Sequence, residues 1–193
     1  MYGYAGKILR VNLSNGKIST LNTKDYAKWG GGHGMGSAIF WDLCRDKAIS
    51  GFDPRNVVTI MTSPLSGTLV PAAGGRCEVQ GIGVQGYPIE WFTRSNFGGR
   101  FAAMLKYAGW DGIVIEGKAP KPVWINIVND HVEIEDATWL WGLDTWETQQ
   151  EIWQAVTGDK DLCDWMEKDG ARTMQRPAVL TIGPAGENLA RSG

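Results

Sequence analysis

The segment Thr93-Arg94-Ser95-Asn96-Phe97-Gly98-Gly99-Arg100-Phe101, continued by Leu105-Lys106-Tyr107-Ala108-Gly109-Trp110-Asp111-Gly112, decides how the rest of the chain is read. Its small and polar residues predict a loop that packs against a short amphipathic stretch. The apolar run Ile113-Val114-Ile115 predicts a strand directly afterwards. Gly98-Gly99 lets backbone amides approach a ligand closely, because neither residue carries a Cβ. If Phe101 opens a helix, its first amides point the same way, a natural seat for an anion such as a phosphate. Read alone, the segment is either an anion-binding loop or an ordinary Asn-x-Gly-Gly turn.

Strand-like alternation over 7–13 and 17–21 flanks Asn15-Gly16, a strong hairpin signal. A helical stretch begins at 25–29 and is interrupted by Gly30-Gly31-Gly32-His33-Gly34-Met35-Gly36. It resumes over 37–44, where Ile39, Phe40 and Leu43 share one face. Pro54 ends that region, 57–61 reads as a short apolar strand, and Ser63-Pro64-Leu65-Ser66-Gly67 as a turn. The second half repeats the order. Residues 124–128 and 131–134 flank Asn129-Asp130 as a second hairpin. A helix follows over about 145–156, with Trp146, Ile152, Trp153 and Val156 as its apolar positions. After a polar excursion over 158–176, residues 177–182 read as an apolar strand entering Gly183-Pro184-Ala185-Gly186. Hairpin, helix, strand and Pro–Gly turn thus occur twice, which predicts an α+β fold of mixed β-sheets and helices. Its two pseudo-repeats cover about 4–70 and 110–190, although the arrangement is also a common one.

Composition sets the outer limits. The 193 residues are 43% hydrophobic and 21% charged, with a net charge of -2. That length suffices for one substantial domain, and the charge gives no footprint for nucleic acid or an anionic membrane. No apolar run approaches the roughly 20 residues that span a bilayer, and the opening residues lack the basic and apolar regions of a signal peptide. A cytoplasmic location is expected. Cys44, Cys77 and Cys163 are far apart and odd in number, and none forms a C-x-x-C pair, so they read as free, partly buried thiols. The 26 glycines cluster among aromatics rather than serines, which suggests backbone packed close to something bulky.

Three places could carry chemistry. Gly74-Gly75-Arg76 offers a planar guanidinium beside an accessible backbone, suited to a phosphate or a heteroaromatic edge, though a lone arginine is equally a surface ion-pair partner. Asn96 offers a carbonyl oxygen to a hard cation such as Mg²⁺, which is often shared with phosphates. The glycine run at 30–36 holds His33, but His33 and His131 are too isolated to form a metal or catalytic pair. Glu90, Glu116, Asp111, Lys106 and Arg100 read as helix and strand surface charges, and no catalytic acid or base is assigned. Trp139, Trp141, Trp146 and Trp153 read as core or interface anchors. Trp91 lies near the Gly98-Gly99 loop.

The order of these motifs resembles the N-terminal domain of the tungsten-dependent aldehyde:ferredoxin oxidoreductases. The resemblance rests on Tyr4-Ala5-Gly6-Lys7-Ile8-Leu9-Arg10-Val11-Asn12-Leu13, Gly74-Gly75-Arg76, the 93–112 segment, Glu116-Gly117-Lys118-Ala119 with Lys121-Pro122-Val123, and Gly183-Pro184-Ala185-Gly186-Glu187. It covers nearly the whole chain, 1–193, and implies a duplicated mixed sheet forming a saddle under the pterin cofactor. The implied cofactor is tungsten held by two pterins whose phosphates share a Mg²⁺. The resemblance places Arg76, Gly98 and Gly99 against the pterin and Asn96 at a Mg²⁺ carbonyl ligand. Where a common family form has arginine, this chain has His33, so that loop is left out of the site. The implied reaction oxidises an aldehyde to a carboxylic acid, with electrons leaving through a [4Fe–4S] cluster to ferredoxin or an electron-transfer subunit, in an oligomer. The helical iron–sulfur domains of the family are not in these residues, so the 193 residues read as a truncated part, inactive alone. A ring reductase acting on an aromatic thioester (benzoyl-CoA type) and a non-enzymatic binding or interaction module are the alternative expectations.

Overall fold

Strand β1 (Lys7–Asn12) shows how the core is organised, because its alternation divides apolar side chains between two faces. Ile8 points into one hydrophobic cluster, while Leu9 and Val11 point into another. In this computed structural model the described residues are 2–71, 74–86, 88–158 and 177–191, with the backbone alone of two short strands, β9 (Met166–Lys168) and β10 (Ala171–Thr173). Two compact units emerge, one ending at Asp136 and one running from Ala137 to Arg191.

The first unit is built on a six-stranded sheet. Besides β1 it holds β2 (Lys17–Asn22), β3 (Val57–Met61), β4 (Cys77–Gly83), β5 (Trp91–Phe97) and β6 (Gly112–Glu116), in the order β2-β1-β6-β3-β4-β5. Only the β1–β6 pair is parallel; the other pairs are antiparallel, so the sheet is mixed. Helix α2 (Gly32–Leu43) covers one face. Its Met35, Ile39 and Phe40 pack with Ile8, Val57, Met61, Ile82 and Val114. On the other face, α3 (Phe101–Tyr107) contributes Ala102 and Leu105 to a cluster with Leu9, Val11, Ile60, Trp110 and Ile113. The hairpin β7 (Val123–Val128) and β8 (His131–Asp136) lays Ile125, Ile127, Val132 and Ile134 on that second cluster. Burying each such aliphatic side chain contributes about 1.5–3 kcal/mol, so two filled faces provide the main stabilisation.

Both expected hairpins form, with different loops. β7 and β8 are joined by Asn129-Asp130 alone, and Asn129 adopts a positive φ of 55°, as a two-residue hairpin turn requires. β1 and β2 pair from Asn12↔Lys17 outward, so four residues, not two, close that loop. Two expectations are corrected. Residues 93–97 lie in β5 rather than in a loop, because each pairs with a residue of β4, from Gly81↔Thr93 to Cys77↔Phe97. The glycine run at 30–36 does not interrupt a helix. A one-turn helix, α1 (Thr23–Tyr26), and a 3-10 turn (Ala27–Trp29) precede it, and α2 starts at Gly32. A Cβ on Gly36 would lie 2.1 Å from Gln80 Oε1 and 2.8 Å from Thr59 Oγ1. Close approach of helix to sheet therefore outweighs the low helix propensity of glycine.

The second unit holds α4 (Thr145–Thr157), whose start is fixed by a reciprocal cap. Asp144 accepts from the amides of Trp146 and Glu147, and Glu147 accepts from the Asp144 amide. Gly158, in the left-handed region, ends the helix. Ile152 and Trp153 are buried, but Trp146 and Val156 are exposed, so the expected apolar stripe is only partly covered. Trp139 and Trp141 are exposed as well. Residues 177–182 pair with no strand among the described residues, and α5 (Gly183–Glu187) follows them. Apart from Gly158, β9 and β10, the expected polar excursion over 158–176 lies outside the described residues.

Candidate functional site

The end of the β4–β5 pair brings together the two glycine segments singled out in the sequence. Glu78 faces Asn96 across the ladder, and Cys77↔Phe97 is the last pair. Arg76 precedes that pair and Gly98 follows it. With two-residue alternation, Arg76, Glu78 and Gln80 share the α2 face of the sheet with Arg94 and Asn96. Arg76 Nη1 donates to Asn96 Oδ1 at 2.5 Å. A Cβ on Gly75 would sit 3.4 Å from the Gly99 carbonyl oxygen, so the backbones of the two segments lie side by side. At Gly98 and Gly99 the Cβ positions meet nothing within 4 Å, and Gly99 has φ +83°, a conformation side chains rarely adopt. The result is an open backbone cradle flanked by a guanidinium.

Helix α3 does begin at Phe101, the condition on which the sequence reading rested, with no side-chain cap at Arg100. It has seven residues, so its dipole adds little, and the accessible loop backbone is the more substantial feature. Next to Asn96 lies a polar network that sequence reasoning did not assign. Glu78 Oε1 accepts from Arg94 Nη1 at 3.2 Å and lies 3.1 Å from His33 Nδ1. Gln80, which is buried, places its Nε2 2.7 Å from the same His33 nitrogen, 3.1 Å from the His33 carbonyl and 3.1 Å from Ser37 Oγ. His33 Nδ1 accepts from Gln80 or donates to Glu78 according to its protonation. The i, i+2 spacing of Arg76-x-Glu78-x-Gln80 and Arg94-x-Asn96 is the signal that would have revealed this face, once both stretches were read as strands.

The charged residues set aside earlier have structural partners. Glu116 holds Arg10 through two hydrogen bonds of 2.5 and 2.9 Å, which raise the Arg10 pKa despite the opposing effect of burial. Glu90 accepts from Ser50 Oγ and the Gly51 amide at 2.8 and 2.6 Å. Arg100 reaches Met104 Sδ at 3.9 Å. Asp111, only 2% exposed, accepts from the amides of Ala5 and Gly6, both at 2.9 Å, from Thr23 Oγ1 at 2.6 Å and from Lys106 Nζ at 2.5 Å. Burial pushes the Asp111 carboxyl up, but the bonds from Lys106, Thr23 and the two amides outweigh it and hold it below the ordinary carboxylate range. Cys44 and Cys77 are buried free thiols; burial drives Cys77 up to about 12. Cys163 lies outside the described residues. Among the described residues no three His, Cys, Asp or Glu side chains are grouped to hold a metal ion, and no helix is long and apolar enough to cross a membrane.

Residues 8–193 match the family model of the aldehyde ferredoxin oxidoreductase N-terminal domain, and the chain belongs to that family. Among its relatives, the tungsten-containing aldehyde ferredoxin oxidoreductase of Pyrococcus horikoshii is 40% identical over 99% of this chain. The WOR-like subunit of an aliphatic sulfonate oxidoreductase of Pyrococcus furiosus is 32% identical over the same share. The chain spans 28% and 30% of the length of these two relatives. Among solved structures, the active site complex BamBC of benzoyl coenzyme A reductase, in complex with 1,5-dienoyl-CoA, aligns with a TM-score of 0.72 at 34% identity. That alignment covers 80% of this chain and 23% of the other.

Proposed function

We propose that this chain is the cofactor-binding N-terminal part of an oxidoreductase that oxidises aldehydes to carboxylic acids at a tungsten bis-pterin site. The observation that carries the reading is the joining of Gly74-Gly75-Arg76 to Asn96–Gly99 by the Arg76–Asn96 hydrogen bond and the Gly75–Gly99 contact. These residues suit a bulky phosphorylated heterocycle. The Gly98-Gly99 backbone is open, Arg76 presents donors to a pterin edge, and the Asn96 carbonyl is the ligand proposed for a Mg²⁺ between the pterin phosphates. When bound, the tungsten centre supplies the two-electron chemistry, taking the aldehyde and water to the acid with release of two protons and two electrons. The chain's own part is to seat and orient the cofactor: Asn96 fixes the Arg76 fork, and the glycine cradle lets the backbone come close. Electrons would leave through a [4Fe–4S] cluster to ferredoxin or an electron-transfer subunit, both outside these 193 residues, in a cytoplasmic oligomer. The pseudo-repeats at about 4–70 and 110–190 belong to the same reading.

A second reading, a reductase acting on an aromatic thioester ring, is favoured by the likeness to BamBC. The higher identity to the aldehyde enzymes supports the first. Metal and pterin analysis of the full-length native protein, purified without oxygen, tests both against a non-enzymatic binding module. Tungsten near one per chain with two pterins is the expected result, and aldehyde-dependent reduction of ferredoxin then separates the first reading from the second. Well-folded protein without tungsten, molybdenum or pterin would overturn both and leave the module.

A further inference from the structure

Two guanidinium groups converge on one cross-strand pair. Glu78 and Asn96 are Cα partners in the β4–β5 ladder. Arg76, from one end, places Nη1 on Asn96 Oδ1, and Arg94, from the other, places Nη1 on Glu78 Oε1. The Glu78 side chain is only 12% exposed, whereas that of Arg94 is 58% exposed. Glu78 is thus tucked between the sheet and His33 at the start of α2, and it tethers a cation that remains open to ligand. The Arg94 end of the pair is more than half open to water, so its guanidinium keeps donors free for a ligand while one stays on Glu78.

Resting on the cofactor reading above, we infer that Arg94 is a second guanidinium contact for a phosphate of the bound cofactor, with Glu78 as its positioning residue. Arg76, assigned to the pterin, and Arg94, assigned to a phosphate, then flank the Glu78–Asn96 pair on its two sides. Arginine suits the role because its planar fork can bond a phosphate while one donor stays on the tether. Glu78 supplies the acceptor that directs the fork along the sheet, and His33 Nδ1 lies 3.1 Å from the same oxygen, Glu78 Oε1.

The test uses the full-length native protein, purified without oxygen, with tungsten and pterin content and the rate of pterin release measured at rising salt. Arg94→Gln should release pterin at least about tenfold faster than wild type, as expected for losing one charge-assisted contact. Arg94→Lys should recover part of the retention and be more sensitive to salt, since a point charge replaces a fork. Glu78→Gln should speed release by a smaller factor while Arg94 is still present. Circular dichroism and thermal melting of all three should match wild type, and the lysine variant provides the comparison if the glutamine variant at 94 melts early. Release at the wild-type rate in all three variants, at every salt concentration, would overturn the inference while leaving the cofactor reading intact. Wild type without pterin overturns the cofactor reading and, with it, this inference; that result is read from wild type alone.

Discussion

Replacing Asp111 by alanine should destabilise the first unit by roughly 3–5 kcal/mol, the range found when one partner of a buried ion pair is removed. The structure explains the size. The carboxylate is 2% exposed, and four donors lose their acceptor together: the Ala5 and Gly6 amides, the Thr23 hydroxyl and the Lys106 ammonium. Lys106 is itself only 10% exposed, so water does not readily replace the lost partner. The loss should be local as well as global, because these bonds hold the segment that enters β1. Urea unfolding followed by tryptophan fluorescence measures the first quantity, and amide hydrogen exchange at Ala5 and Gly6 the second, with exchange expected to rise about a hundredfold or more. Linkage adds a sign. A carboxyl whose folded pKa is depressed stabilises the fold above its ordinary unfolded pKa of about 3.9 and loses that contribution as pH falls through the folded value. The gap between wild type and Asp111→Ala should therefore narrow only in acid, below about pH 4. A loss under about 1 kcal/mol, with both amides still protected, would refute this account and place the Asp111 cluster among ordinary surface pairs.

Gly36→Ala pits about 1 kcal/mol of gained helix propensity against a Cβ placed 2.1 Å from Gln80 Oε1. Because Gln80 is buried and bonded to His33 and Ser37, the net effect should be a lower melting temperature; a higher one would show that Gln80 rearranges freely. In the folded protein Cys77, with its thiol pushed up to about 12, and buried Cys44 should resist iodoacetamide at pH 8, by peptide mass mapping, and react in urea. Alkylation of either at the rate of a free thiol under native conditions would contradict their burial.

Local signals carried much of the fold. Asn15-Gly16 and Asn129-Asp130 mark hairpins because the turn conformation is set by the residues in it, and the runs at 57–61 and 113–115 are apolar because both faces of their strands are covered. The β4–β5 pair was hidden for the opposite reason. Its α2 face carries Arg76, Glu78, Gln80, Arg94 and Asn96, and Gly81 and Gly83 remove β-propensity from the rest, so the stretch has the composition of a loop. Partners distant in sequence make it a strand: β3 pairs with β4, and Gln80 is satisfied beneath α2 by His33 and Ser37. Gly36 in the first turns of α2 looks like a helix breaker on the same ground, since its fit against Gln80 and Thr59 exists only once helix and sheet meet. Family order picked out Arg76 and Asn96 individually, but their hydrogen bond depends on the Glu78↔Asn96 register, which no local pattern encodes. The residues that disguised the strand are therefore those that make the proposed site. A sheet face that turns charge toward an open cradle cannot also show the apolar alternation by which strands are recognised.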